Sequence, residues 1–180
     1  MTMNIVKQNA SKGSEGKKRL VFIAKSTVAY SLCYLIVGAI AYQLLTKQFY
    51  IGDDPVFAAY LRSEANPAEW SHTNAWIIQG VLFRALLISL VLLPFIDTLR
   101  QMRFIKRVSI VFALMFVLIH LAAAAPSPSN IEGLIYMKES LVSARAFLLT
   151  QPEMIAQCLL FAISLSWIIK KPAAVDKISQ

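Results

Sequence analysis

Apolar and polar positions along this chain fall into long blocks instead of alternating, and the blocks predict its elements. Apolar runs cover 27–45, 76–97, 108–125 and 153–169, with polar stretches between them. A bilayer core of about 30 Å is crossed by roughly 20 apolar residues in helix, so each run reads as a span. The expected fold class is an all-α integral membrane protein, a four-transmembrane-helix bundle with short outer-face amphipathic helices. The runs make one transmembrane domain over 27–171, with a basic tail at 1–26 and a second tail at 172–180.

Residues at the edges of the runs refine the elements. Met1 to Lys18 lacks an apolar period and is expected to be a loose tail, followed by an interfacial turn over Arg19 to Lys25. Ala39-Ile40-Ala41 has the small-residue look of a cleavage site, but the basic region before it is long, and the run is read as a retained span. Asp53-Asp54-Pro55 predicts a short surface helix through Arg62. Asn66-Pro67-Ala68-Glu69 has the cap, first-turn proline and glutamate of a helix start, so the second span begins as early as Pro67. Pro94 is placed to kink that span, and Asp97 and Arg100 are three apart and able to pair. Ala122 to Ala125 would form a thin collar ending the third span before Pro126.

The stretch 130–149 has an apolar side and a polar one, which predicts an amphipathic helix of about 30 Å lying over the outer face. Ser129 to Glu132 and Thr150 to Glu153 each fit a capping box, the second opening the last span. Tyr30, Tyr34, Gly38 and Tyr42 recur every fourth residue and form one stripe of the first span, read as aromatic packing with Gly38 admitting a close neighbour.

Composition and charge settle class and orientation. A hydrophobic share of 57% with 16% charged residues is unlike a soluble domain. The net charge of +8 is distributed by segment rather than gathered on a face. Lys7, Lys12, Lys17, Lys18, Arg19 and Lys25 precede the first run; Arg100, Arg103, Lys106 and Arg107 follow the second; Lys170, Lys171 and Lys177 follow the last. That asymmetry is the positive-inside pattern. It predicts both termini in the cytoplasm of a bacterial inner (plasma) membrane, and it reads the lysines as orientation signals rather than a lipid-specific site. No basic patch interleaved with aromatics points to nucleic acid. Cys33 and Cys158 lie inside apolar runs with no CxxC neighbour, and both are read as packing residues.

Candidate chemistry centres on Arg84. It lies about 12 Å along the second span from Trp76, at about 1.5 Å per residue, where a lipid-facing cation costs about 2.5 kcal/mol or more. Gln79 and Arg84 descend from the outer side, His120 approaches it, and Glu153 and Gln157 descend from it, so all five belong to the outer half. A cavity lined by Arg84, His120 and Gln157 and roofed by 130–149 is the sharpest expectation, with Glu139 or Glu153 as the acidic partner of Arg84. Such a site suits an anionic ligand or lipid headgroup. The plainer alternative for Arg84 is a buried ion pair holding the bundle together.

No HExxH helix, GxSxG elbow or phosphate-binding glycine loop occurs. No cofactor, metal site or catalytic residue is assigned. The expected function is that of a non-enzymatic binding or accessory protein, with membrane lipids, a protein partner or a second copy of the chain as partners. An immunity or accessory-subunit role rests on architecture alone. A small transporter subunit and a lipid-modifying enzyme are the alternatives.

Overall fold

The computed structural model describes residues 2–52 and 55–169, with side chains from Glu15 onward. Among these residues every regular element is helical. The helices are α1 (Thr2–Ala41), α2 (Gln48–Ile51), α3 (Pro67–Leu92), α4 (Ile96–Gln101), α5 (Phe104–Ala113), α6 (Ile131–Tyr136) and α7 (Ala144–Ile168). A π-helical segment, Tyr42–Thr46, continues α1, and another, Leu114–Leu121, continues α5. Counted with these continuations, four helices are long and apolar enough to cross a membrane: Glu15–Thr46, Pro67–Gln101, Phe104–Leu121 and Ala144–Ile168.

These four pack side by side, α1 against α3 and α7, and α5 against α7. On α3 the buried positions Val81, Ala85, Ser89 and Leu92 follow the helical repeat and form one stripe. Small residues in it let α1 come close. Ser26 donates to Ser89 Oγ at 2.8 Å, and Ser89 donates to the Ala85 carbonyl at 2.8 Å, so a polar contact between the two helices is fully bonded. The core is completed by Phe22, Tyr30, Val111, Met115, Phe161 and Leu165.

The helix starts and bends have local causes. Asn66 caps α3, its side chain accepting from the Ala68 amide at 3.1 Å, with Pro67 in the first turn. Pro94 sits in the 3-10 turn Leu93–Phe95, which separates α3 from α4 where proline removes a backbone donor. Asp97 and Arg100 pair at 3.0 Å.

Arg107, in the first turn of α5, is 2% exposed. Its Nε donates to the Leu99 carbonyl at 2.7 Å and its Nη1 to the carbonyls of Ser166, at 2.7 Å, and Ile169. Its Nη2 faces the Met102 carbonyl at 3.2 Å. Those oxygens belong to the C-terminal ends of α4 and α7, where helix carbonyls carry partial negative charge. One guanidinium therefore joins two helix ends to the start of a third.

Several expectations are corrected. The expected loose stretch at the N-terminus is helical from Thr2, and no turn interrupts Arg19 to Lys25. The expected continuous helix over 130–149 is broken into α6, a 3-10 turn Glu139–Leu141 and the start of α7. Its backbone turns extended at Met137 and Lys138, and again at Val142 and Ser143. Asn130, not Ser129, caps α6, accepting from the Gly133 amide at 2.9 Å. Gly133 is required there, since a Cβ would collide with the Ser127 carbonyl.

The last long helix starts at Ala144 with Ser143 as its cap, so Thr150 to Glu153 lies inside the helix and makes no capping box. The third long helix runs from Phe104 to Leu121, which leaves Ala122 to Ala125 outside the helix instead of forming a collar on it. Val56 to Tyr60 forms turns, not a helix, and Asp53 and Asp54 lie outside the described residues. The connection from α1 to α3 is nevertheless ordered by a small core of Phe49, Phe57 and Ala146 and by an ion pair of Lys47 and Glu64 at 2.6 Å. Burial pushes the Tyr50 phenol in this connection up to about 12.

Candidate functional site

One cavity has walls from all four long helices. On α1 the four-residue spacing aims Tyr30 and Tyr34 the same way. Their rings stack at 6.2 Å, and Tyr30 meets Phe161 edge-on at 5.2 Å, which fixes the tyrosine wall against α7. On α3, Arg84 immediately precedes buried Ala85 and so lies at the edge of the packed stripe. Its side chain is exposed, and its guanidinium stands over the Tyr34 ring, 5.8 Å from the centroid. Met115, Ile119 and His120 supply the third wall, and Met154, Gln157 and Cys158 the fourth. The cavity measures about 190 Å³.

His120 belongs to the π-helical segment Leu114–Leu121. Its Nε2 lies 3.3 Å from Gln151 Oε1, while Gln151 Nε2 donates to the Ser129 and Phe147 carbonyls, each at 3.0 Å. Those two acceptors orient the Gln151 amide, which assigns the proton to His120 Nε2. Gln151 thus ties the cavity wall to the connection before α7, a link that sequence reasoning did not find.

On α7, Gln157 donates to Glu153 Oε1 at 2.9 Å. A Cβ added at Gly38 would have both of these polar atoms at 3.5 Å. Gly38 therefore leaves the pair lying against the backbone of α1.

Of the residues singled out from sequence, Arg84, His120 and Gln157 line the cavity together. Glu153 is drawn toward Gly38 through Gln157. Gln79 and Glu139 are exposed and line no wall of it, and 130–149 provides no roof. Among the described residues Arg84 forms no ion pair; the pairs present are Lys47 with Glu64 and Asp97 with Arg100. The acidic partner expected for Arg84 is thus replaced by an aromatic one. Tyr34 was legible as part of a stripe, but packing was the simpler reading. Cys158 was likewise read as packing and proves to line the cavity.

The arrangement joins a permanent cation, an amide and an imidazole to thioether and aliphatic walls, which suits a small anionic group carried on an apolar body. Its volume is below the about 300–1,000 Å³ of sites that engulf whole organic ligands, so it fits a headgroup-sized moiety. Among the described residues no three or more His, Cys, Asp or Glu side chains gather where they could hold a metal ion. Comparison with family models, curated proteins and solved structures finds no match for this chain.

Proposed function

We propose that this chain is a four-span membrane protein that binds the anionic group of a lipid or other amphiphile, or a small carboxylate or phosphate, in the cavity around Arg84. It acts as a binding or accessory protein. Two features support the membrane reading. Trp76, Phe83, Leu87 and Val91 stay exposed on the side of α3 away from the core, and a helix apolar all round belongs in a larger core or a bilayer. The segregation of cations to one end of the bundle supports both termini lying in the cytoplasm.

The observation that carries the binding reading is Arg84 at the mouth of the cavity, stacked on Tyr34 and without a carboxylate partner among the described residues. Stacking on an aromatic face contributes about 0.5–2 kcal/mol, whereas a cation in the apolar layer costs about 2.5 kcal/mol or more. An anion entering beside Arg84 offsets the difference. The second amide N–H of Gln157, beyond the one given to Glu153, then gives it a polar contact that water would otherwise supply.

The test is native mass spectrometry of the protein purified from membranes in mild detergent, with extraction and identification of what co-purifies. Wild-type protein is expected to retain an anionic adduct, while Arg84→Met and Arg84→Gln retain the helical circular-dichroism spectrum and lose it. Equal retention by both folded variants would overturn the reading.

A further inference from the structure

A second recess lies at the end of the bundle that carries the N-terminal cations. Lys17, Val21 and Lys25 recur at four-residue intervals on α1, and Lys18 and Phe22 lie beside them, so one face of the helix alternates cationic and apolar turns. Opposite stand Arg100 of α4 and Ile168 and Ile169 at the end of α7. Together they line an open recess of about 410 Å³, a size within the range of organic ligand sites. Among the described residues no carboxylate lines it; Asp97 pairs with Arg100 from the neighbouring recess, which also holds Glu15.

We propose that this recess binds an anionic phospholipid, its phosphate among Lys17, Lys18, Lys25 and Arg100 and its acyl chains along Val21, Phe22 and Ile168. The inference rests on the four-span reading and is independent of the Arg84 cavity. Charge complementarity carries the first half. Four cations, three from one helix and one from another, converge on this recess and repel one another, and Asp97 offsets one of them, so an anion balances the cluster. The apolar floor carries the second half. Free phosphate would gain nothing from Val21, Phe22 and Ile168, whereas a phospholipid buries its chains there. Orientation alone requires basic residues at this end of the chain, but it does not require them to converge on an apolar recess between helices.

The experiment titrates purified full-length protein in detergent with phosphatidylglycerol, with phosphatidylcholine of the same chains, and with inorganic phosphate, counting bound molecules by native mass spectrometry. Lys18→Gln/Lys25→Gln removes two charges from the recess. Arg103→Gln/Lys106→Gln removes two exposed charges from the same end, outside it. Measured in an Arg84→Met background so that the other cavity does not contribute, expected is selective binding of phosphatidylglycerol, weakened about tenfold or more by the first pair, at about 1 kcal/mol per cation, and unchanged by the second pair. Equal weakening by both pairs, equal binding of phosphatidylcholine, or full displacement by an equal concentration of inorganic phosphate would overturn the proposal. Absence of any bound phosphatidylglycerol in the Arg84→Met background would assign that lipid to the other cavity alone and overturn it as well.

Discussion

Arg107 donates to the Ser166 carbonyl at 2.7 Å, across 59 positions of sequence. With Leu99, Met102 and Ile169 as further acceptors, the guanidinium holds the ends of α4 and α7 at the start of α5. A cation in the first turn of its own helix opposes that helix's dipole, so its position is explained by the other two ends. Arg107→Met keeps the packing volume and takes the guanidinium donors away from the Leu99, Ser166 and Ile169 carbonyls. The expected loss is about 1.5–3 kcal/mol, the range for hydrogen bonds to a charged group, read as a lowered Tm in detergent. Arg107→Lys, with fewer donors, should recover only part of it. An unchanged Tm in Arg107→Met would contradict this role.

Orientation is tested by accessibility. In a background of Cys33→Ser and Cys158→Ser, cysteines at Ala65 and Ser140 replace exposed residues in the connections, and one at Lys106 replaces an exposed residue at the basic end. An impermeant thiol reagent applied to intact cells should label the first two and spare the third. Labelling of Ala65→Cys and Ser140→Cys from opposite sides would contradict four spans.

Tyr50 makes stability fall at high pH. Burial raises its phenol from near 10 to about 12, so the unfolded chain releases this proton first. The stabilisation is fully present below pH about 10, the ordinary tyrosine value, and is lost as pH rises toward about 12. Denaturant unfolding across that window should show a slope that Tyr50→Phe reduces. An identical slope in the variant would refute the assignment.

The four apolar runs were legible because a block of apolar residues long enough for a helix has few other uses. Asn66 and the pairing of Asp97 with Arg100 were legible because both depend on neighbours in sequence. Arg107 was hidden. It shares a buried stripe with Val111 and Met115, but the residues after it are nearly all apolar, so no polar face marks the register, and orientation already accounted for a cation there. The break in 130–149 was hidden for a related reason. Its apolar and polar sides fit one helix, whereas the backbone turns extended at Met137–Lys138 and Val142–Ser143 and the helix restarts at the Ser143 cap. Arg84, His120 and Gln157 were found by depth along their helices, while Tyr34 and Cys158, at the same depth, carried no charge to attract notice.

The Cys158 thiol lines the Arg84 cavity and reports its occupancy directly. In a Cys33→Ser background, the measurement is the rate at which a small neutral maleimide alkylates Cys158 in the presence of dodecyl phosphate, or of dodecyl-trimethylammonium as a control of the same chain length. Binding of an anionic group beside Arg84 predicts that dodecyl phosphate slows the reaction, that the cationic amphiphile does not, and that Arg84→Met abolishes the protection. Equal protection by both amphiphiles, or protection that persists in Arg84→Met, would contradict it.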